Sequence, residues 1–382
     1  MKSIVDIALE KHSERAKNTE VMQSTGIQTQ TDMGDDAELA KIVEALRVNI
    51  KIIGCGGGGC NTIDRIFHAG VVGARLLAIN TDAPHLMHIH SPRKMLIGKR
   101  TTKGLGAGAL PEVGEEAAKE NEDELKQFVD GSNIVFVTAG MGGGTGTGSA
   151  QYVARLAKEK GALVLSVVTL PFKGEGLMRM DNALKGVEKL RRYSDTTIVI
   201  NNDKLLELVP KLPLEAAFKI ADEILMNTLK GITEIITKPG LVNIDYNDLQ
   251  TVMKNGGVAM IGFGESDEDR GDRVDNAINQ AIGSPLLGEV DVSQAQGALV
   301  RIVGGSDMTI TEAQRAVQLV GERISPQARI IWGCTVDPSY NKSVNVLLVL
   351  TGVKSKQFIG SQGHPVLLDR APIKKSGFDS VC

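Results

Sequence analysis

The chain has 382 residues, 42% of them apolar, which is enough for two compact domains that each bury a core. Lys and Arg number 43 against 46 Asp and Glu, so the formal charge of −3 argues against a surface that coats nucleic acid or anionic membrane. No apolar run is long enough to span a bilayer and four cysteines are too few for a disulfide framework, so a cytoplasmic protein is expected.

The two ends of the chain differ in composition from the rest. Residues 1–47 are polar, acidic in their second half, and rich in Ser, Thr and Gln around residues 23–31. Such a composition predicts an extension that is partly disordered. Residues 354–382 are polar and basic apart from the short apolar motif PVLL, and they predict a flexible tail.

From Val48 onwards, apolar β-branched strands alternate with helices. Strands are expected over residues 48–54, 75–80, 94–98, 133–140, 162–170 and 196–200. Helices are expected over 61–68, 112–129 and 178–193, and a further helix follows the glycine-rich segment 142–148 and ends at about residue 160. This alternation predicts an α/β domain with a doubly wound, mostly parallel sheet that helices cover on both faces. We assign residues 48–212 to this first domain.

A long central helix follows over residues 214–237. Its apolar positions, among them Phe218, Leu225 and Leu229, recur with the helical period, and Pro239 and Gly240 end it. Residues 213–239 are therefore predicted to link two domains. Strands are then expected over 258–264, 297–305, 328–336 and 343–353, with helices near 267–282 and 311–323. They predict a second, smaller α/β domain over 240–353.

Glycine-rich segments follow two of the predicted strands. GCGGGGCN (54–61) opens one helix, GGGTGTG (142–148) opens a second, and LGAGA (105–109) adds a third small-residue loop. Glycines let backbone N–H groups approach a phosphate at the positive end of a helix. Taken alone, Gly54, Gly56 and Gly59 with Asp82 fit a dinucleotide fingerprint. Two glycine-rich turns suit a nucleotide with a long phosphate tail better than they suit a dinucleotide.

Five motifs, in this order and spacing, resemble the FtsZ family of tubulin-like GTPases of prokaryotic cell division. They are NTD (80–82), LGAGA, GGGTGTG, PFKGEGLMR (171–179) and NIDYND (243–248), and the resemblance runs from about Val48 to Val353. It implies a tubulin/FtsZ-like fold and hydrolysis of GTP to GDP and phosphate. It also implies a head-to-tail homopolymer that forms the division ring beneath the membrane.

The resemblance also implies a set of nucleotide contacts. Phosphate binding is expected at Gly57, Gly58, Gly59, Cys60, Asn61, Ala107, Gly108, Gly142, Gly143, Gly144, Thr145, Gly146, Thr147 and Gly148. Glu175 and Arg179 are expected at the ribose, and Asn202, Phe218 and Asp222 around the guanine. A carboxylate suits guanine because it accepts from both N1–H and the N2 amino group, which adenine does not offer. Cys60 departs from the bacterial pattern, which has another glycine there.

NIDYND contains three polar residues, Asn243, Asp245 and Asp248. By themselves, such side chains after a helix are usually a solvated cap; the resemblance implies that they complete the active site of the adjacent subunit. Geometry supports this, because the 15 residues from Asp222 to Thr237 span about 22 Å of helix. The acids would reach only the phosphates of a second subunit, and such a contact repeats into a filament. Carboxylates that approach a triphosphate imply Mg²⁺.

His85, His88 and His90 invite a metal-binding interpretation. No Cys or carboxylate with ligand spacing joins them in the sequence, so they are predicted to lie on the surface or at the edge of the nucleotide, and no protein metal ligand is assigned. In the tail, PVLLDRAPIKK is expected to bind a membrane-tethering adaptor. Neither nucleic acid nor direct membrane insertion is expected.

Three other functions stay open at this point. A tubulin-like filament for cell shape or DNA segregation would carry the same motifs. An NAD-binding oxidoreductase would use residues 54–59 and Asp82, but it would leave GGGTGTG and NIDYND without a role. A purely structural filament would not need the two acids.

Overall fold

The computed structural model describes residues 48–208, 213–238, 240–267, 273–288, 290–340 and 342–353. The predictions for the N-terminal extension and the C-terminal tail lie outside the described residues. The domain boundaries proposed at residues 212 and 239 stay predictions. None of the helices in the described part of the chain combines the length and apolar character needed to cross a membrane.

Ten strands form one sheet in the order β3-β2-β1-β4-β5-β6-β7-β10-β8-β9. The strands are β1 Ile50–Cys55, β2 Ala74–Asn80, β3 Lys94–Leu96, β4 Ile134–Gly140, β5 Leu163–Leu170, β6 Thr196–Asn201, β7 Gly257–Ser266, β8 Gly297–Gly304, β9 Arg329–Val336 and β10 Val344–Thr351. The first six strands are all parallel to their neighbours. This confirms the predicted doubly wound, mostly parallel sheet.

The described residues also form twelve α-helices. They are α1 Gly56–His68, α2 Ala83–His88, α3 Lys99–Thr102, α4 Pro111–Glu120, α5 Glu122–Val129, α6 Gly144–Glu159, α7 Leu177–Arg191, α8 Asn202–Leu208, α9 Leu214–Thr237, α10 Tyr246–Met253, α11 Arg273–Ile282 and α12 Ile310–Arg323. Single 3-10 turns lie at Lys173–Glu175, Pro285–Leu287 and Val292–Gln294.

Helices cover both faces of the parallel strands, which is why all six residues of β1 are buried. On one face, Ile63 of α1 packs in one apolar cluster with Leu225 and Leu229 of α9. On the other face, α4 to α7 pack on the sheet, with Leu125 and Leu156 in the second cluster. From Ala221 onwards, the predicted apolar stripe of the long helix is therefore part of the core, whereas Phe218 stays partly exposed.

The last four strands continue the same sheet. Strand β7 is parallel to β6 over three residue pairs, from Thr196–Gly257 to Ile198–Ala259. Strand β10 is antiparallel to both β7 and β8, and β8 is parallel to β9. Helices α11 and α12 cover one face with a third apolar cluster. The chain before α10 also pairs with β9, through a two-sided backbone contact between Val242 and Cys334.

Several element boundaries differ from the predictions. The helix expected over 112–129 is two helices that meet at Asn121, whose side-chain oxygen accepts from the Gly98 N–H at 3.0 Å. Helix α1 begins at Gly56 rather than at Asn61, so the glycine run forms its first turn. The helix expected near 267–282 is described over Arg273–Ile282. Helices α2, α3, α8 and α10 were not predicted.

Candidate nucleotide site

The two glycine turns meet at the carboxyl ends of the neighbouring strands β1 and β4. Gly56 has φ of +70°, and a Cβ there would lie 2.6 Å from the backbone nitrogen of Gly146. Only glycine therefore allows this approach. Helices α1 and α6 begin at these turns, so their free N–H groups and positive ends share one edge of the sheet.

The third loop packs on the second glycine turn. The Gly144 N–H donates to the carbonyl of Gly108 at 2.7 Å, and a Cβ on Gly144 would lie 2.6 Å from the carbonyl oxygen of Ala107. The Thr145 hydroxyl lies 2.6 Å from the hydroxyl of Thr81, which belongs to the NTD motif. The structure thus brings all three predicted phosphate-binding segments together.

Two of the predicted phosphate-binding side chains point into the protein. The Thr147 hydroxyl accepts from the Gly142 N–H at 2.8 Å and holds the turn closed. The Cys60 thiol is fully buried, 3.3 Å from the carbonyl oxygen of Ile79, and burial raises its pKa. Any contact of these two residues with a phosphate would therefore come from the backbone. Cysteine at position 60, where the bacterial pattern has glycine, is compatible with such a backbone contact because its side chain fills the core below the turn.

A cavity of about 520 Å³ opens between α1 and the N-terminal half of α9. It is lined by Asn61, Asp64, Arg65, His68, Glu215, Phe218, Lys219 and Asp222. Three of these residues were predicted from the sequence, Phe218 and Asp222 at the base and Asn61 at the phosphates. The Phe218 ring stands edge-on against Phe172, with ring centroids 5.1 Å apart, and is 38% exposed, so an apolar surface remains for a planar ligand.

Asp222 has an unusual electrostatic environment. Burial raises its pKa to about 6, although the nearby Arg65 guanidinium and a hydrogen bond from Asn61 both favour the charged form. Arg65 Nε lies 3.7 Å from Asp222 Oδ2, and the Asn61 side-chain oxygen lies 3.1 Å from His85 Nε2. At neutral pH the carboxylate is ionised and can accept two hydrogen bonds from one ligand edge.

The two predicted ribose residues pair with each other beside the glycine turn. Arg179 Nη1 donates to Glu175 Oε2 at 2.6 Å, and Glu175 Oε1 accepts from the Phe172 N–H at 2.9 Å. A Cβ on Gly142 would lie 2.8 Å from the backbone oxygen of Arg179. This pair therefore connects the phosphate turn with the aromatic side of the base cavity.

Asn202 begins α8 at the carboxyl end of β6 and is buried. Its side-chain oxygen has no hydrogen-bond partner among the described residues. A buried acceptor without a partner is costly, so a ligand donor at this position would stabilise the site. Asn202 does not line the base cavity.

The three acidic-motif residues, Asn243, Asp245 and Asp248, lie at the start of α10, and all three are exposed. Asp245 is the N-cap, and its Oδ1 accepts from the Asp248 N–H at 2.7 Å. The Asn243 side-chain oxygen accepts from the Gly240 N–H at 2.6 Å. Asp245 therefore caps the helix, as such residues usually do. The side chain of Asp248 is exposed in the first turn of the helix.

This acidic end lies at the opposite edge of the sheet from the glycine turns. The Tyr246 hydroxyl donates to the carbonyl of Asn133, the residue before β4, at 3.4 Å. The Thr237 hydroxyl donates to the carbonyl of Val72, just before β2, at 3.2 Å. Strand β4 has seven residues, which span roughly 23 Å. The acids are therefore too far away to touch a phosphate at the glycine turns of their own chain.

Three residues of this site were missed in the sequence. Phe172 belongs to the PFKGEGLMR motif but was given no role, although its ring contacts the ring of Phe218. Arg65 lies four residues after Asn61, a spacing that places both on one helix face. His85 was predicted to lie on the surface or at the edge of the nucleotide, and its contact with Asn61 follows only from the folded structure.

Two models of known protein families match most of the chain. Residues 49–210 match the model described as "Tubulin/FtsZ family, GTPase domain", and residues 257–354 match "FtsZ family, C-terminal domain". The NAD-binding interpretation is not favoured by these matches, because the first one covers both glycine turns.

Similar proteins share this assignment over almost their full length. "Cell division protein FtsZ 1" of Archaeoglobus fulgidus is 51% identical over 100% of this chain and 99% of its own. "Cell division protein FtsZ" of Haloferax mediterranei is 50% identical over 95% of this chain and 96% of its own. A solved empty FtsZ dimer from M. jannaschii superimposes with a TM-score of 0.80 and 47% identity, over 87% of this chain and 99% of that one. This chain therefore belongs to the FtsZ family of tubulin-like, filament-forming cell-division GTPases.

Proposed function

We propose that the chain holds GTP across the glycine turns and the base cavity, and that it hydrolyses GTP only when a second copy brings Asp245 and Asp248 to the phosphates. The observation that carries this proposal is the opposed placement of Asp222 and Asp248. The base cavity and the glycine turns lie at the carboxyl edge of the sheet, while the acids lie at its amino edge. One active site then needs two subunits, and each added subunit completes one site.

The proposed contacts follow from the chemistry of each segment. Backbone N–H groups at the starts of α1 and α6, with Ala107 and Gly108 beside them, take the phosphates. The paired Glu175 and Arg179 take the ribose hydroxyls. Asp222 accepts from the guanine edge, Phe218 covers the base, and Asn202 offers an acceptor to the ligand.

Mg²⁺ suits this site as an ion that the phosphates hold. The described groups at the two turns are N–H donors and hydroxyls, and Oδ1 of the nearby Asp82 already accepts from the His85 N–H at 2.9 Å. Mg²⁺ keeps several waters and binds mainly through phosphate oxygens in such sites. When bound, it would neutralise charge between the triphosphate and the incoming acids. Asp248 would orient the attacking water.

GTPase activity per chain is expected to depend on protein concentration. Because the acids act on a neighbour, specific activity should be near zero in dilute protein and should rise once filaments form. Phosphate release measured together with light scattering, over a concentration series, tests this. A specific activity that stays constant from dilute to concentrated protein would show that one chain suffices, which contradicts the proposal.

We also propose that the segment PVLLDRAPIKK binds an adaptor that tethers the filament to the membrane at the division site. It combines a short apolar motif with basic residues, outside the described residues. A chain ending at Val353 should keep assembly-dependent GTPase activity and lose localisation to the ring. Fluorescence imaging of both chains in dividing cells tests this, and normal rings from the shortened chain would remove the tail from the proposal.

A further inference from the structure

Asp64, His68 and His90 form a cluster at the rim of the base cavity. Asp64 and His68 lie one turn apart on α1, and His90 lies between α2 and β3. One carboxylate oxygen and one nitrogen from each ring lie within 4.8 Å of one another. The two rings also touch edge-on, with centroids 4.9 Å apart. The helix α1 and the segment before β3 thus bring metal-ligating atoms together.

Both rings direct Nδ1 to Asp64. His90 Nδ1 lies 2.8 Å from Asp64 Oδ1, and His68 Nδ1 lies 3.7 Å from Asp64 Oδ2 and 2.8 Å from the backbone oxygen of the same residue. A metal ion can replace the proton between a ring nitrogen and a carboxylate, because both groups bind metal once that proton is released. The candidate ligands are therefore the two Nδ1 atoms and the carboxylate of Asp64.

We propose that Asp64, His68 and His90 bind a divalent transition-metal ion of the Zn²⁺ class, with water in the remaining position. Ligand atoms around a tetrahedral Zn²⁺ lie about 3.4 Å apart, as its bond lengths of about 2.0–2.1 Å require. The His68 and His90 side chains are 58% and 64% exposed, so they are free to rotate inward from their present spacing. Two imidazoles with one carboxylate favour Zn²⁺, Ni²⁺ or Cu²⁺ over Mg²⁺.

The surrounding charges are compatible with a cation. Arg65, next to Asp64 in the chain, directs its guanidinium to Asp222 and Glu223, at 3.7 and 3.2 Å. The carboxylate of Asp64 is therefore left to the two histidines. A bound ion would tie α1 to the segment after α2 at the rim of the cavity. This site is distinct from the proposed Mg²⁺ position at the phosphates.

The test is calorimetric titration of ZnCl₂ into the nucleotide-free full-length protein. Wild-type protein should bind about one ion per chain at this site, far more tightly than it binds Mg²⁺. His90→Ala should lower the Zn²⁺ affinity at least about 10-fold. His88→Ala is the matched control, because His88 is an exposed histidine two residues away that is outside the cluster. GTP affinity should not change in His90→Ala, since His90 does not line the cavity.

Co²⁺ supplies a second readout that does not depend on affinity alone. Bound in a site of low coordination number, it should give intense visible absorption in the wild-type protein and in His88→Ala, and this absorption should be lost in His90→Ala. Equal Zn²⁺ affinity for wild type and His90→Ala, or Zn²⁺ binding no tighter than Mg²⁺ binding, would overturn the proposal. Neither result would affect assembly-dependent GTP hydrolysis, which is measured separately.

Discussion

Asp248→Ala is expected to bind GTP with near wild-type affinity, to assemble, and to hydrolyse GTP at least about 100-fold more slowly. Binding survives because Asp248 lies at the opposite edge of the sheet from the base cavity of its own chain. Turnover falls because the neighbouring phosphate loses the acid that orients water. Nucleotide affinity, sedimentation and phosphate release measure the three properties in one protein. Asn247→Ala, exposed on the same turn, is the matched control.

Mixing two inactive variants distinguishes hydrolysis completed by a neighbouring subunit from a general loss of folding in either variant. In Gly146→Trp the new side chain has no space, because even a Cβ would lie 2.7 Å from the carbonyl oxygen of Gly140. That variant keeps the acids but loses the pocket, whereas Asp248→Ala keeps the pocket. A mixture should regain activity that neither protein shows alone. Fast hydrolysis by Asp248→Ala alone would mean that the acid only stabilises the start of α10.

Asp222→Asn is expected to shift the base preference of the site from guanine towards xanthine. The carboxylate accepts from two guanine donors, while an amide presents one donor and one acceptor. Loss of one paired contact in a buried site costs about 1–3 kcal/mol, which lowers GTP affinity roughly 5- to 150-fold. Xanthine replaces the guanine amino group by a carbonyl, so XTP should bind the variant better than the wild type. Calorimetry with GTP, XTP and ATP tests this; unchanged GTP affinity would remove Asp222 from the base site.

The same carboxyl predicts a pH dependence. With its pKa at about 6, Asp222 becomes protonated below pH 6 and loses its acceptor pattern. The affinity for GTP should fall about 10-fold from pH 7 to pH 5 through this one group.

The stability of the nucleotide-free protein should depend on pH in the opposite direction. A raised pKa means that the folded state binds the proton more tightly, so the free energy of unfolding falls, by up to about 3 kcal/mol, as pH rises from about 4 to 6. In Asp222→Asn both contributions should vanish, while the titration of the phosphates remains.

Much of this architecture could be predicted because burial leaves a strong pattern in the sequence. The helix Leu214–Thr237 was predicted at its observed bounds, since its apolar residues recur with the helical period and Pro239 and Gly240 end the pattern. Strand β5 was predicted to within one residue because all eight of its residues are buried. Helix α10 was missed although Asp245 and Asp248 have the spacing of an N-cap and its first turn.

The remaining features depend on contacts between distant residues. The break at Asn121 exists because its side chain binds the Gly98 N–H, which no local periodicity reveals. The spacing of His85, His88 and His90 suggested one group, but the fold separates them. His85 contacts Asn61 in the nucleotide site, whereas His90 contacts Asp64. The raised pKa of Asp222 likewise arises from burial against α1, which only packing determines.

The pairing of Val242 with Cys334 has a consequence for how copies of the chain can meet. A β-sheet with free outer strands invites sideways addition of further strands, which is the route to aggregates. Here one outer strand, β3, has only three residues and begins with an exposed lysine. The other, β9, pairs at Cys334, in its second half, with the chain that leads to α10. With both margins of the sheet blunted, strand addition between copies is disfavoured there, which is consistent with the proposed contact between the glycine turns of one copy and the acids of the next.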